Sequence, residues 1–72
     1  MKKTYKLERL DCANCAAKME TAISAIDGVI SARVNFMMQR LTIEADESVF
    51  DEVLKKAEKA IARVEPDCRI SF

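Results

Sequence analysis

The segment TYKLERLDCANCAAKMETAI, residues 4–23, changes its hydrophobic period part-way along, and this change decides how the rest of the chain is interpreted. Apolar and charged residues alternate in Thr4–Leu10, as they do in a half-buried strand. From Cys15 onward the apolar residues fall three and four apart, which is typical of one face of a helix. The segment therefore predicts a strand, a short loop with two cysteines, and a helix that Asp27-Gly28 ends.

The middle of the chain predicts a β-hairpin. Residues 29–36 and 40–45 both alternate, which indicates two strands joined by a short turn. The inward positions of the first of these strands are expected to be Ile30, Ala32, Val34 and Phe36. We expect one of the two methionines in the turn, Met37 and Met38, to cover the edge of the core.

A second helix and a last strand complete the pattern. Residues 48–64 have an apolar face at helical spacing, and Ser48 with Asp51 resembles a capping arrangement at the start. After Pro66, the segment CRISF alternates, which predicts a short strand with Cys68, Ile70 and Phe72 on the core side.

The order of elements, βαββαβ, predicts an α+β fold of the ferredoxin-like type as a single domain over residues 1–72. Right-handed crossovers give a four-stranded antiparallel sheet of order 4-1-3-2, with both helices on one face. The cysteine loop, the hairpin turn and residues 65–68 should lie at the same end. Because the fourth strand neighbours the first, residues 65–68 should approach the cysteines more closely than the hairpin turn does.

Composition excludes several classes of function. Twelve basic and twelve acidic residues give a net charge of zero, which provides no attraction for nucleic acid. No apolar run reaches the ~20 residues of a membrane-spanning helix, so no direct membrane insertion is expected. The polar start and the odd count of three cysteines indicate a cytoplasmic protein with free thiols. The absence of histidine removes the commonest general base, and we predict that the chain is not an enzyme.

The pair Cys12-Ala-Asn-Cys15 allows three interpretations. A closed structural zinc site needs four ligands, and three cysteines without histidine cannot supply them. A thiol–disulfide oxidoreductase is less favoured, because the chain is short and encloses Ala-Asn between the cysteines. An open metal site remains, in which amide groups at the start of the helix favour thiolates, especially at Cys15.

The motifs LDCANCAAKME, DGVISARVNF and LTIEAD resemble the heavy-metal-associated domain over nearly the whole chain. That family includes small metallochaperones and the N-terminal cytosolic domains of metal-exporting P-type ATPases. The resemblance implies that Cys12 and Cys15 bind the metal, and that Leu10 replaces the methionine that usually anchors the loop. An aspartate directly before the first cysteine, here Asp11, resembles the members of the family that handle zinc, cadmium and lead. The expected cargo is therefore Zn(II), Cd(II) or Pb(II), bound with the help of Asp11, and Cu(I) is the alternative. The expected partners are the other metal-binding or transport domains of such an ATPase.

The sequence leaves open which further residues bind the metal. Cys68 is expected in the core rather than at the metal, and Glu65 or Asp67 could each add an oxygen. Met37 and Met38 are expected to lie far from the cysteines, which argues against thioether ligands. Two thiols leave coordination positions free, so a dimer bridged by one metal ion also stays open.

Overall fold

The computed structural model describes residues 1–71, and the alternating and helical patterns produce strands and helices in the predicted order. These elements are β1 (Lys2–Glu8), α1 (Ala13–Ser24), β2 (Val29–Asn35), β3 (Arg40–Ala45), α2 (Phe50–Val64) and β4 (Arg69–Ser71). The strands form an antiparallel sheet in the order β2-β3-β1-β4, which confirms the predicted topology. No helix within residues 1–71 combines the length and the apolar character needed to cross a membrane.

One core lies between the sheet and the two helices. Both helices and the inward positions of the strands contribute to a single buried cluster, and among residues 1–71 no polar or charged residue is buried in it. Its largest fully buried side chains are Leu7, Leu10, Met19, Ile23, Leu41, Ile43, Ile61 and Val53. Burial of a leucine- or isoleucine-sized side chain stabilises the fold by about 1.5–3 kcal/mol. The core is therefore apolar, and neither Asp11 nor Cys12 belongs to it.

The inward face of β2 differs from the prediction at its first position. Ile30 is 68% exposed, whereas Ala32 and Val34 pack against the core as expected. The pairing with β3 shifts between Val29 and Ser31, so β2 has one extra residue there, a β-bulge. Val29 pairs with Ala45 and packs against the core, while Ile30 turns outward.

The turn between α1 and β2 requires the chain's one glycine. Gly28 has a φ of 97°, in the left-handed region that side chains disfavour. A Cβ at this position would lie 3.1 Å from Val49 Cγ2 and 3.3 Å from Val53 Cγ2. Gly28 thus allows the turn to pack closely against α2.

The predicted cap of the second helix is wrong. Asp46 caps a short 3₁₀ turn, Glu47–Val49, and its Oδ1 accepts hydrogen bonds from the Ser48 backbone N–H (2.9 Å) and hydroxyl (2.8 Å). α2 then begins at Phe50 without a side-chain cap. Aspartate before a serine forms this local turn readily, so the cap lies two residues earlier than Ser48.

The two edges of the sheet are short or covered. β4 has three residues and pairs with β1 through Leu7 and Ile70, while the predicted inward residue Phe72 lies outside the described residues. At the other edge, the backbone N–H of Val34 donates to Glu20 Oε1 of α1 at 2.9 Å. A side chain of α1 therefore accepts a hydrogen bond from a backbone N–H group on the outer edge of β2.

Candidate metal centre

The loop between β1 and α1 contains two of the three predicted site residues, Asp11 and Cys12, and the third, Cys15, lies in the first turn of α1. β1 ends at Glu8, and Arg9 adopts a left-handed φ of 61°, which turns the chain toward α1. Leu10 is then buried, at 1% exposure, as expected for a loop anchor in place of methionine. Its burial places Asp11 and Cys12 at the surface beside the start of α1.

Cys12 is the N-cap of α1. Its backbone is extended (φ −129°, ψ 120°), and its Sγ accepts a hydrogen bond from the Cys15 backbone N–H at 3.2 Å. Its carbonyl accepts the first helical hydrogen bond, from Ala16 N–H at 3.0 Å. Both cysteines are free thiols and only half-buried, so one external ion can reach both sulfurs.

The two thiols differ in proton affinity. The pKa of Cys12 is lowered, first by a hydrogen bond from the Cys15 thiol and then by backbone N–H groups of Cys15 and Asn14. The pKa of Cys15 is raised, chiefly because its S–H donates to Cys12, and further by burial and nearby negative charge. The expectation that the helix start favours the thiolate especially at Cys15 is therefore wrong. The capping position, rather than the first turn, receives the amide groups.

Asp11 is exposed and lies directly before the cysteine pair. In the described part of the chain, no group of three cysteine or acidic side chains converges closely enough to hold a metal ion. The negative charge of Asp11 is close enough to contribute to the raised pKa of Cys68, so the Asp11 carboxylate lies at the same end of the molecule as Cys68. Asp11 is thus adjacent to the two thiols without being preassembled with them.

The segment between α2 and β4 approaches the cysteines. Glu65 is half-buried, and its negative charge is close enough to oppose ionisation of both thiols: it adds to the raised pKa of Cys15 and partly offsets the lowering of the pKa of Cys12 by hydrogen bonds. Asp67 is exposed, and its backbone N–H donates to Glu65 Oε1 at 3.5 Å. Residues 65–68 therefore neighbour the cysteine loop, as the topology predicts.

Cys68 belongs to the core, as predicted. It is 3% exposed and is part of the buried cluster. Burial raises the pKa of its thiol first, followed by the charges of Glu65 and Asp11. A buried thiol with a raised pKa is a small apolar side chain rather than a metal-binding thiolate.

Comparison with known proteins gives the family of this chain. Residues 4–66 match the heavy-metal-associated domain. The chain belongs to the heavy-metal-associated domain family. The chain is 38% identical over 66 residues, 92% of its length, to a cadmium, zinc and cobalt-transporting ATPase of Bacillus subtilis (strain 168). It is 40% identical, over 90% of its length, to a probable cadmium-transporting ATPase of Staphylococcus aureus.

Two further facts set the scale of these similarities. The chain covers 9% of the length of each of those two ATPases, so the likeness concerns one domain of each. Among solved structures, the CopZ metallochaperone superposes with a TM-score of 0.74 at 23% identity, over 99% of this chain and 100% of that one. The fold of this chain is therefore shared with that metallochaperone.

One contact of the cysteine loop, made by Gln39, has no counterpart among the sequence predictions. Gln39 lies in the β2–β3 hairpin turn, and its side chain hydrogen-bonds the backbone of Leu10, two residues before Cys12. The hairpin turn therefore contacts the start of the cysteine loop through Gln39, whereas the distance of Met37 and Met38 from the cysteines stays a prediction. Met37 and Met38 are 86% and 61% exposed, so neither covers the edge of the core. The contact joins residues 29 positions apart, and no local pattern signals it.

Proposed function

We propose that this heavy-metal-associated domain binds a soft or borderline divalent ion, Zn(II), Cd(II) or Pb(II), and passes it to a transporter. Cys12 and Cys15 provide two thiolates, and Asp11 provides a carboxylate oxygen. The observation that carries the proposal is the half-exposed pair of thiols at the start of α1 with an exposed carboxylate directly before it. Thiolate sulfur with an added carboxylate oxygen suits these divalent ions.

Ion uptake begins at Cys12 in this proposal. Cys12 has the lowered pKa and is the first sulfur to carry charge. In the free protein the Cys15 thiol donates a hydrogen bond to the Cys12 sulfur. Cys15 must lose this proton before both sulfurs can bind the ion. Uptake therefore releases protons, and it becomes weaker as the pH falls.

Release of the ion uses the openness of the same site. Two thiolates and one carboxylate leave room for a further ligand, and both sulfurs are accessible from outside. A thiolate or carboxylate of a second protein can therefore bind the ion before this domain lets it go. A metal-bridged pair of molecules is an intermediate of the same chemistry.

The proposed setting is the cytosolic N-terminal part of a heavy-metal-exporting P-type ATPase. Support comes from the names of the two bacterial relatives, which are cadmium- or zinc-transporting ATPases. ATP hydrolysis and transport would belong to other parts of such a protein. The match over residues 4–66 also argues against the thiol–disulfide oxidoreductase alternative.

Replacing Asp11 tests the choice of ion. We expect Asp11→Ala to weaken Cd(II) and Zn(II) binding by about tenfold, about 1.4 kcal/mol, and to change Cu(I) binding little. Only the divalent ions gain from a hard oxygen ligand. Affinities are measured on the reduced protein by competition with a chelator of known affinity.

The matched control for this test is Asp27→Ala. Asp27 is an exposed aspartate beyond the other end of α1, so its removal changes the net charge equally. An equal loss of Cd(II) and Cu(I) affinity in Asp11→Ala would show that the carboxylate acts as a general charge. The role of Asp11 as a ligand would then be wrong.

A Cu(I) site is the second candidate. The observation that favours it is that no third cysteine or acidic side chain in residues 1–71 converges with the two thiols. Two thiolates satisfy Cu(I), a soft monovalent ion. Retention of full Cd(II) affinity in Asp11→Ala, together with tighter Cu(I) binding than in the wild type, would favour this candidate.

A further inference from the structure

The side chain of Gln39 takes the place of a strand at the start of the metal-binding loop. The Leu10 backbone N–H donates to Gln39 Oε1 at 3.0 Å, and Gln39 Nε2 donates to the Leu10 carbonyl at 2.5 Å. One amide thus pairs with both polar groups of one residue, as a neighbouring strand does in an antiparallel ladder. β1 stops at Glu8 and its pairing with β3 stops at Lys6, so Leu10 lies beyond the regular ladder.

The hairpin itself holds Gln39 in place for this contact. Gln39 Nε2 also donates to the Phe36 carbonyl at 3.0 Å, and the Gln39 carbonyl accepts a hydrogen bond from Leu7 N–H at 2.7 Å. Its φ of 54° lies in the left-handed region, where glycine or asparagine is the ordinary choice. The two hydrogen bonds of its side chain with the Leu10 backbone explain why a glutamine occupies this conformation.

We infer that Gln39 is a positioning residue, which fixes Leu10 and so holds Asp11 and Cys12 in the geometry that binds the ion. The inference rests on the proposed function, because it assigns the metal-binding loop a partner outside itself. The side chain of Leu10 is buried and its backbone is hydrogen-bonded to Gln39, so the position of the backbone just before Asp11 and Cys12 is fixed. Loss of the Gln39 amide leaves the backbone N–H and carbonyl of Leu10 without these hydrogen bonds, so that only the buried side chain still holds Leu10 in place. Groups that orient metal ligands from outside typically contribute 10–100-fold to affinity.

The test variant is Gln39→Gly. Glycine adopts a φ of 54° without strain, so the backbone conformation of the turn is kept, while the amide that holds Leu10 and its hydrogen bond to the Phe36 carbonyl are removed. We expect Cd(II) affinity, measured by chelator competition, to fall about tenfold, the low end of the range for outer partners of a metal site. In the metal-free protein, the Leu10 amide should exchange faster with solvent, and NMR relaxation should show greater mobility over residues 11–15.

The matched control is Asn35→Ala. Asn35 Oδ1 accepts a hydrogen bond from Met38 N–H at 3.0 Å, so it supports the same turn without contact to the loop. We expect Asn35→Ala to leave Cd(II) affinity within twofold of wild type, whatever its effect on unfolding by urea. A role of Gln39 in hairpin stability alone would instead make the two variants lose affinity in step with their loss of stability.

The remaining outcomes are separable. Wild-type Cd(II) affinity in Gln39→Gly overturns the inference, and so does a loss of affinity with the Leu10 amide still protected. If the wild-type protein binds neither Cd(II) nor Zn(II), the proposed function fails. The metal-free measurements then decide for Gln39: a mobile loop in Gln39→Gly supports the positioning role, and an unchanged loop overturns it.

Discussion

At the scale of single residues, position within the fold makes two identical thiols chemically different. Cys12 caps α1 and collects hydrogen bonds, which lower its pKa, whereas Cys15 supplies one of them and its pKa is raised. Cys68 is buried in the core, and its pKa is also raised. The spacing of the cysteines predicts a reactive pair, but the order of their acidity depends on which thiol donates to the other.

We predict that iodoacetamide alkylates Cys12 before Cys15 in the reduced, metal-free protein at pH 7. Each unit of lower pKa gives about ten times more thiolate, and the accompanying loss of nucleophilicity is only about threefold. The preference should shrink as the pH rises, because Cys15 ionises once the pH approaches its raised pKa. Peptide mass spectrometry after brief labelling measures both rates.

The Cys12→Ser variant provides the control for this prediction. Without the Cys12 sulfur, Cys15 loses the main cause of its raised pKa. Cys15 should therefore react faster in the variant than in the wild type. A rate for Cys15 that is unchanged in the variant would contradict the hydrogen bond between the two thiols.

At the scale of elements, the sequence predicts type and order well, and it fails where a detail depends on a distant partner. The alternation and the helical spacing are local, so β1, α1 and the sheet order follow from them. The bulge at Ile30 depends on how β2 pairs with β3. The contact of Gln39 with Leu10 likewise exists only after the strands assemble. Cys12, Cys15 and Asp11 are predicted as metal ligands because they are close together in the sequence, whereas no local pattern points to Gln39.

Substitution of Ile30 tests the bulge. We predict that Ile30→Thr changes the free energy of unfolding by no more than about 0.5 kcal/mol, as for other exposed positions. The matched change Ile43→Thr should cost about 2 kcal/mol or more, because Ile43 is fully buried. Threonine keeps the β-branched shape in both variants. Similar losses in urea unfolding would return Ile30 to the core face and contradict the bulge.

At the scale of the whole molecule, the chemistry and the core occupy different places. The Cys12 and Cys15 thiols are half-buried at the start of α1, with Cys15 packed against the edge of the core. The apolar cluster between sheet and helices, which includes Cys68, contains no buried polar or charged residue within residues 1–71. We therefore expect the domain to fold before it meets an ion, unlike a small zinc domain whose fold depends on metal. The proposed role, a carrier that repeatedly loses its cargo, would require this separation.

We predict that the metal-free protein unfolds cooperatively in urea, and that free Cd(II) at 100 times its dissociation constant adds about 2.7 kcal/mol to the free energy of unfolding. Both results follow from binding to a preformed fold. A double variant with Cys12→Ser and Cys15→Ser should match the metal-free stability of the wild type and gain nothing from Cd(II). Absence of a cooperative transition without metal would contradict the prediction.

The hydrogen bond from Val34 N–H to Glu20 has a consequence for crowding. Exposed strand edges allow one sheet to extend into another, and proteins often block them with charge. Here α1 places a carboxylate on the outer edge of β2. A strand from a neighbouring copy would have to displace that carboxylate and leave its charge beside the new ladder. The carboxylate therefore disfavours pairing of neighbouring copies through this edge at high local concentration.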